Sequence, residues 1–158
     1  MSYKLPPVTH GVFMSTQTQN YTGTTNGQII HYNVEVDASS GVQLSGSTKF
    51  IVTSSGDYNI DFSAIMSQSS GTGVAYSFWL TKNGTLVDRS TRNIKIQTSS
   101  TDSLMTETMI LDLNKNDYIE THWYSSSSNG QLISYAGLTL PTRPDVPSCI
   151  LVIYKTSE

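Results

Sequence analysis

The stretch that decides the fold runs from Gly56 to Met66 and reads GDYNIDFSAIM. Its residues alternate between apolar and polar side chains with a period of two, which is the pattern of a half-buried β-strand. The apolar set is Tyr58, Ile60, Phe62, Ala64 and Met66, and the polar set is Asp57, Asn59, Asp61 and Ser63. This segment therefore predicts a strand, and it carries the most regular stripe in the chain.

Outward from this stretch, the same period recurs at intervals that are too short for helices to fit between the strands. The further predicted strands cover residues 30–36, 48–53, 74–80, 86–97, 104–113, 118–124 and 148–154. Asn83 and Gly84 mark a tight hairpin between two of them, because both residues accept positive φ. The sequence thus predicts an all-β chain with no helix.

The end of the chain indicates how the strands are layered. Residues 148–154 are apolar on both faces, which predicts a central strand covered on both sides. Three prolines between residues 141 and 147 predict a rigid surface connection before it. We predict eight to ten strands in two antiparallel sheets packed as a sandwich.

Composition limits the classes of function. The chain has 158 residues, of which 37% are hydrophobic and 13% charged, and its net charge is −3, so we expect one domain that binds neither nucleic acid nor anionic membranes. No stretch approaches the roughly 20 apolar residues of a membrane span, and no export signal is visible near Met1. The single cysteine, Cys149, excludes an internal disulfide.

Candidate chemical groups do not form a recognisable catalytic or metal-binding pattern. No Gly-x-Ser-x-Gly motif occurs, and His31 and Glu35 are about 13 Å apart if both lie on one strand. Glu120 and His122 form a metal site only if a neighbouring strand adds ligands, and residues 112–117 favour a polar hairpin over a calcium loop. We predict no catalytic residue, no metal site and no cofactor.

Two loops combine small polar residues with neighbouring aromatic side chains. They span residues 67–73 and 125–130, and both are rich in Ser and Gly. Aromatic faces beside hydroxyl and amide groups suit a glycan or a protein receptor, although such loops also serve any β-sandwich as turns. The candidate binding residues are Ser69, Ser70, Tyr76, Trp79, Trp123, Tyr124, Asn129 and Tyr135.

Several short motifs resemble the globular heads of the complement and tumour-necrosis-factor superfamily. They are Thr48–Val52, Ser55–Ser63, Leu80–Gly84, Leu111–Ile119 and Pro147–Val152. The resemblance spans roughly residues 28–154, and the Gly-x-Tyr-x-Ile-x-Phe motif at Gly56 is its most specific part. The chain departs from the family at Asn116, where Gly is usual, and in a longer segment over residues 129–147.

The resemblance implies a jelly roll of about ten strands that assembles as a homotrimer around a threefold axis. Nine tyrosines against four phenylalanines fit partly wet contacts between subunits, although they fit an ordinary core and rim equally well. We expect the trimer interface to include Tyr58, Phe62, Tyr118 and Tyr154.

These features predict a non-enzymatic, trimeric structural or adhesion module of a virion, such as a phage fibre, head-decoration or host-attachment protein. Residues 1–27 are predicted as an extended arm and residues 28–158 as the jelly-roll domain. The arm would dock to another virion protein or wrap a neighbouring subunit, unless it is merely a frayed terminus. The alternatives are a secreted or cell-surface ligand of the same superfamily, which would be extracellular, and a sugar-processing β-sandwich enzyme.

Overall fold

The computed structural model describes residues 9–23, 25–38, 41–99 and 101–156. Within these ranges every regular element is a strand, and no helix is present that could span a membrane. The strands are β1 His10–Ser15, β2 Gln19–Asn20, β3 Gln28–Ile29, β4 Val34–Ala38, β5 Val42–Ser45, β6 Lys49–Val52, β7 Gly56–Gln68, β8 Val74–Lys82, β9 Thr85–Leu86, β10 Arg92–Ile96, β11 Ser103–Leu113, β12 Tyr118–Ser125, β13 Gly130–Leu132, β14 Leu138–Thr139, β15 Thr142–Arg143 and β16 Cys149–Lys155.

The strands form two antiparallel sheets that pack face to face. Sheet I has the order β2-β13-β7-β16-β1-β4, with β11 paired to β7, and sheet II has the order β10-β8-β12-β6-β5, with β3 on β12 and β9 on β8. Strands β14 and β15 form a separate short hairpin. The predicted all-β, two-sheet antiparallel sandwich is confirmed.

Strand β7 shows why the alternating stretch decides the fold. It pairs with β11 over its length on one side and with β16 on the other, so it is an internal strand of sheet I. Its apolar residues point into the sandwich, where Tyr58, Ile60 and Met66 are buried. The opposite residues form the outer face of sheet I.

The core between the sheets is rich in aromatic side chains. The Phe50 ring lies 4.8 Å from the Phe13 ring and 4.9 Å from the Tyr32 ring, measured between centroids, and all three are fully buried. Burial of each such side chain contributes about 1.5–3 kcal/mol, so these contacts between β1, β6 and the segment before β4 hold the two sheets together.

The start of the chain requires a correction. The predicted arm covered residues 1–27, but β1 lies inside sheet I between β16 and β4, and β2 pairs with β13. Phe13 contributes its ring to the core, so residues 10–20 belong to the sandwich. The part of the predicted arm in residues 1–8 lies outside the described residues.

Two turns behave as their residues indicate, and one segment differs. Asn83 and Gly84 have φ values of 51° and 78°, as the predicted tight hairpin requires. Asn116 has a φ of 72°, which asparagine tolerates. The proline-containing segment contains β15, paired with β14, where a connection without strand pairing was predicted.

Candidate functional site

The outer face of sheet I carries an apolar patch. Val12 lies opposite Val152 across β1 and β16, and Met14 lies opposite Ile150 on one side and Val34 of β4 on the other. Tyr154 follows on the same face of β16. We call these six half-buried residues, Val12, Met14, Val34, Ile150, Val152 and Tyr154, the sheet I patch.

A buried amide lies beside this patch without a partner. Asn59 pairs with Tyr154 on one side and with Ile110 of β11 on the other, and only 5% of it is exposed. Its Nδ2 atom has no hydrogen-bond acceptor within the described part of the chain. Buried donors are almost always paired, so this position calls for an acceptor from outside the single chain.

The acidic residues on this face do not form a catalytic pair. Asp61 lies opposite Val152, and its Oδ1 accepts a hydrogen bond of 2.7 Å from the Thr108 hydroxyl. The Asp57 backbone carbonyl accepts hydrogen bonds from Thr156. Neither interaction shapes a substrate cleft, and in the described ranges no three His, Cys, Asp or Glu residues gather as metal ligands.

The thiol of Cys149 offers no nucleophile either. Its side chain is buried between the sheets, and burial raises the pKa of the thiol to about 12. Thiolates, not thiols, are the reactive form, so Cys149 is an inert core residue at physiological pH.

The outer face of sheet II carries a covered pair of aromatic rings. Trp79 of β8 stacks on His122 of β12 with 5.6 Å between ring centroids and an angle of 13°. The chain before β3 covers this pair, since a Cβ added at Gly27 would overlap the Trp79 ring. The Thr81 hydroxyl lies 3.1 Å from Nε2 of His122. Burial lowers the pKa of His122, and the neighbouring Glu120 partly offsets this effect.

The structure separates the four predicted interface residues. Tyr58 and Phe62 face the core with 0% and 6% exposed, so their assignment to an interface is corrected: they offer a partner almost no surface. Tyr118 lies on the outer face of sheet II, where Lys49 sits 4.6 Å from its ring centroid. Only Tyr154 belongs to the sheet I patch.

The predicted loop-binding residues also divide. Tyr76 and Trp123 are completely buried and stack in the core, so their assignment to a surface is corrected. Trp79 lies in the middle of sheet II, away from the loops. The two loops do meet, because the Ser69 amide donates a hydrogen bond of 3.0 Å to the Asn129 carbonyl, and Ser70 is exposed beside them.

Tyr124 and Tyr135 line two separate grooves at the surface. Tyr124 borders a groove of about 250 Å³ together with Tyr21 and the serines of residues 125–128. Its ring meets that of Tyr21 edge to face, at 5.5 Å between centroids. The serine hydroxyls are mostly used within the turn, for example by Ser126 accepting from the Ala75 amide at 2.9 Å.

The second groove, which we call the Tyr135 groove, has a volume of about 430 Å³. Its lining residues are Ile65, Asp102, Ser103, Leu104, Tyr135, Arg143 and Val146. The Tyr135 hydroxyl donates a hydrogen bond to Oδ2 of Asp102, and this bond raises the pKa of Tyr135. Sequence reasoning found Tyr135 but missed Asp102 and Arg143, which no motif connects to it.

Comparison with solved structures identifies the architecture. The globular domain of zebrafish complement 1qA protein matches with a TM-score of 0.59 and 10% identity, covering 96% of this chain and 98% of that one. The Eiger tumour necrosis factor from S. frugiperda matches with a TM-score of 0.58 and 10% identity, covering 97% and 95%. This chain has the complement-head and tumour-necrosis-factor jelly-roll fold. No family model and no curated protein matches the sequence.

Proposed function

We propose that the chain is a non-enzymatic module that assembles as a homotrimer through the sheet I patch and uses its loop ends for binding. The observation that carries the proposal is the patch itself: six apolar or aromatic side chains on the outer face of a sheet. Antiparallel sheets that face water on one side normally carry polar residues there.

The arrangement of the patch supports contact with another copy. The patch crosses three adjacent strands, so it presents one continuous surface. Contiguous apolar surfaces of this kind mark interaction sites in soluble proteins. The unpartnered Nδ2 of Asn59 lies at its margin, and a neighbouring subunit supplies the missing acceptor in this account.

The threefold arrangement rests on the resemblance described above. A closed ring needs a heterologous contact, in which two different surfaces of the chain meet. The sheet I patch is one of these surfaces, and the sheet edge of a neighbouring subunit is the other. Because the chain has few charged residues, we expect this contact to consist of apolar packing with few ion pairs.

We place the module in a virion, as a fibre, head-decoration or host-attachment protein whose loop ends bind a host glycan or receptor. The support is the Ser- and Thr-rich sequence, together with the absence of a disulfide from a chain with one cysteine. Docking of the N-terminal residues to another virion protein belongs to the same proposal. Genes for capsid or tail proteins beside this one would support this setting.

A secreted ligand of a protein receptor is the second candidate. It is favoured by the fold shared with an insect tumour necrosis factor. Two experiments separate the candidates. Labelling of purified virus particles by an antibody to this chain would support the virion protein. Specific binding of the trimer to cells that no virus carrying the gene infects would support the receptor ligand.

The assembly is tested by the mass in solution. Light scattering of the full chain should give about three times 17.3 kDa, and the mass should persist in 1 M salt at roughly the same value because the contact is apolar. A mass near 17.3 kDa at micromolar concentration would contradict the proposal.

A further inference from the structure

The Tyr135 groove has the dimensions and lining of a small-molecule site. It lies beside the ends of β7 and β11 and the base of the β14–β15 hairpin, and its volume is about 430 Å³. One wall is apolar, formed by Ile65, Leu104 and Val146. The charged and aromatic polar groups of the lining are few, namely Asp102, Tyr135 and Arg143, and an apolar lining with a few polar groups is the usual composition of ligand pockets.

Arg143 supplies a cation at this groove. Its backbone is fixed, since Arg143 pairs with Leu138 in the hairpin and the Gly137 amide donates to Asp145 at 2.6 Å. Its guanidinium makes no hydrogen bond or ion pair with any residue that the structure describes. The planar fork of a guanidinium matches a carboxylate with two parallel hydrogen bonds.

Asp102 and Tyr135 favour a different kind of ligand group, one that donates hydrogen bonds. The Asp102 carboxylate accepts the Tyr135 hydroxyl and can accept further hydrogen bonds, but it cannot donate any. It therefore favours the hydroxyl donors of a ligand and repels an anionic group placed beside it, so a carboxylate on the ligand belongs at Arg143 and not at Asp102. The Tyr135 ring is 38% exposed and offers a flat apolar face beside this carboxylate.

We infer that the Tyr135 groove binds a carboxylate-bearing sugar. Arg143 pairs with the carboxylate of the sugar, Asp102 accepts its hydroxyl groups, and the apolar wall packs against its ring or an acetyl substituent. This inference names the ligand class for the loop-end binding in the proposed function, and it rests on that proposal. All the groove residues come from one chain, so assembly and sugar binding can fail separately.

The binding test uses sugars that share a core and differ in the acid. Saturation-transfer and titration NMR on the full chain would compare 3′-sialyllactose with lactose, and glucuronic acid with glucose. We expect each acidic probe to bind at least about tenfold more tightly than its neutral partner. The two acidic probes distinguish a sialic acid from a uronic acid as the source of the carboxylate. Equal binding of acidic and neutral sugars, or no binding of either acidic probe, would overturn the inference.

Variants locate the site. Arg143→Gln should weaken binding of the acidic probe at least about tenfold and leave the weak binding of lactose unchanged, while Arg143→Lys restores part of the affinity. Arg89→Gln is the matched control, because Arg89 is highly exposed beside Asp88 and lies outside the groove. Unchanged affinity in Arg143→Gln, or an equal loss in Arg89→Gln, would refute the assignment.

The light-scattering mass is measured on the same samples. A trimer that binds no acidic sugar refutes this inference and leaves the assembly in place. A single subunit that binds the acidic sugar through Arg143 supports the groove and contradicts the trimer.

Discussion

The two sheets have similar buried inner faces, but their outer faces differ. On the outer face of sheet II, the indole of Trp79 is stacked on His122 and covered by the chain at Gly27. On the outer face of sheet I, Val12, Val152 and the rest of the patch are apolar or aromatic and only half-buried. Contiguous apolar surfaces are typical of interaction sites, and in the proposed trimer the sheet I patch is buried against a neighbouring subunit.

The largest expected effect comes from a charge in the centre of the sheet I patch. Val152→Lys places an ammonium group in the proposed contact of every subunit, which costs several kcal/mol per buried charge and should convert the trimer to single subunits. Light scattering measures the mass.

Ser77→Lys is the matched control, because Ser77 lies on the outer face of sheet II opposite Tyr124. This variant should remain trimeric. If Val152→Lys stays folded and keeps the trimer mass, the sheet I patch is not the contact.

A substitution at Gly27 tests how the chain packs over Trp79 on the outer face of sheet II. Gly27 has a φ of 78°, and a Cβ there would overlap Trp79 and lie 3.2 Å from the Trp123 carbonyl. Gly27→Ala should lower the free energy of unfolding by about 1–3 kcal/mol, which urea denaturation measures. Gly23→Ala is the control for φ alone, because Gly23 has a φ of 80° with open space around it. An equal loss in both variants would remove the packing argument.

The same substitution at two tyrosines, one on the outer face of each sheet, compares the two faces. Tyr154→Glu adds a charge to the sheet I patch near its edge and should weaken the trimer by about 1–2 kcal/mol, seen as dissociation on dilution. Tyr118→Glu lies on sheet II, beside Lys49, and should leave the dissociation unchanged. Equal dissociation of the two variants would show that the outer face of sheet I contributes no more to the trimer contact than the outer face of sheet II.

The smallest expected effect is a pH dependence on sheet II. The pKa of His122 is lowered in the folded state, so the unfolded chain binds this proton more readily. Stability is therefore highest above the unfolded pKa of about 6.5 and falls as the pH drops from there towards the lower folded value. Thermal unfolding at pH 7.5 and 5.5 should show a larger loss for the wild type than for His122→Gln. Identical losses would exclude this contribution.

The sequence predicted the fold because periodicity reports directly on which side chains enter a sandwich. The stripe around Ile60 and the hairpin at Asn83 needed no information beyond neighbouring residues. The final strand was predicted to be central and covered on both faces. β16 is indeed central in sheet I, between β7 and β1, but its outer face is only half-buried. Ile150, Val152 and Tyr154 on that face are half of the sheet I patch.

Residue type alone is a poor guide to interface and loop-binding residues in this chain. Tyr58 and Phe62 share the stripe of Ile60, and Tyr76 shares the stripe of Phe78, so alternation alone places them in the core. An aromatic side chain on the buried stripe of a strand belongs to the core, because that stripe faces the interior of the sandwich.

The Tyr135 groove could not be predicted from local pattern. Asp102, Tyr135 and Arg143 come from the start of β11, the segment after β13 and the β14–β15 hairpin. Their proximity depends on the bridge between Tyr135 and Val146, which brings the base of the hairpin beside β7 and β11. No fixed spacing in the sequence encodes that contact.

Oxidative footprinting of Met14 tests most directly whether the outer face of sheet I is buried between subunits. Met14 lies in the sheet I patch, whereas Met66 is fully buried in the core and serves as an internal reference. Brief exposure to hydroxyl radicals, read by mass spectrometry, should leave Met14 nearly as protected as Met66 in the wild type and make it reactive in Val152→Lys. Rapid oxidation of Met14 to the same extent in both proteins would contradict the account.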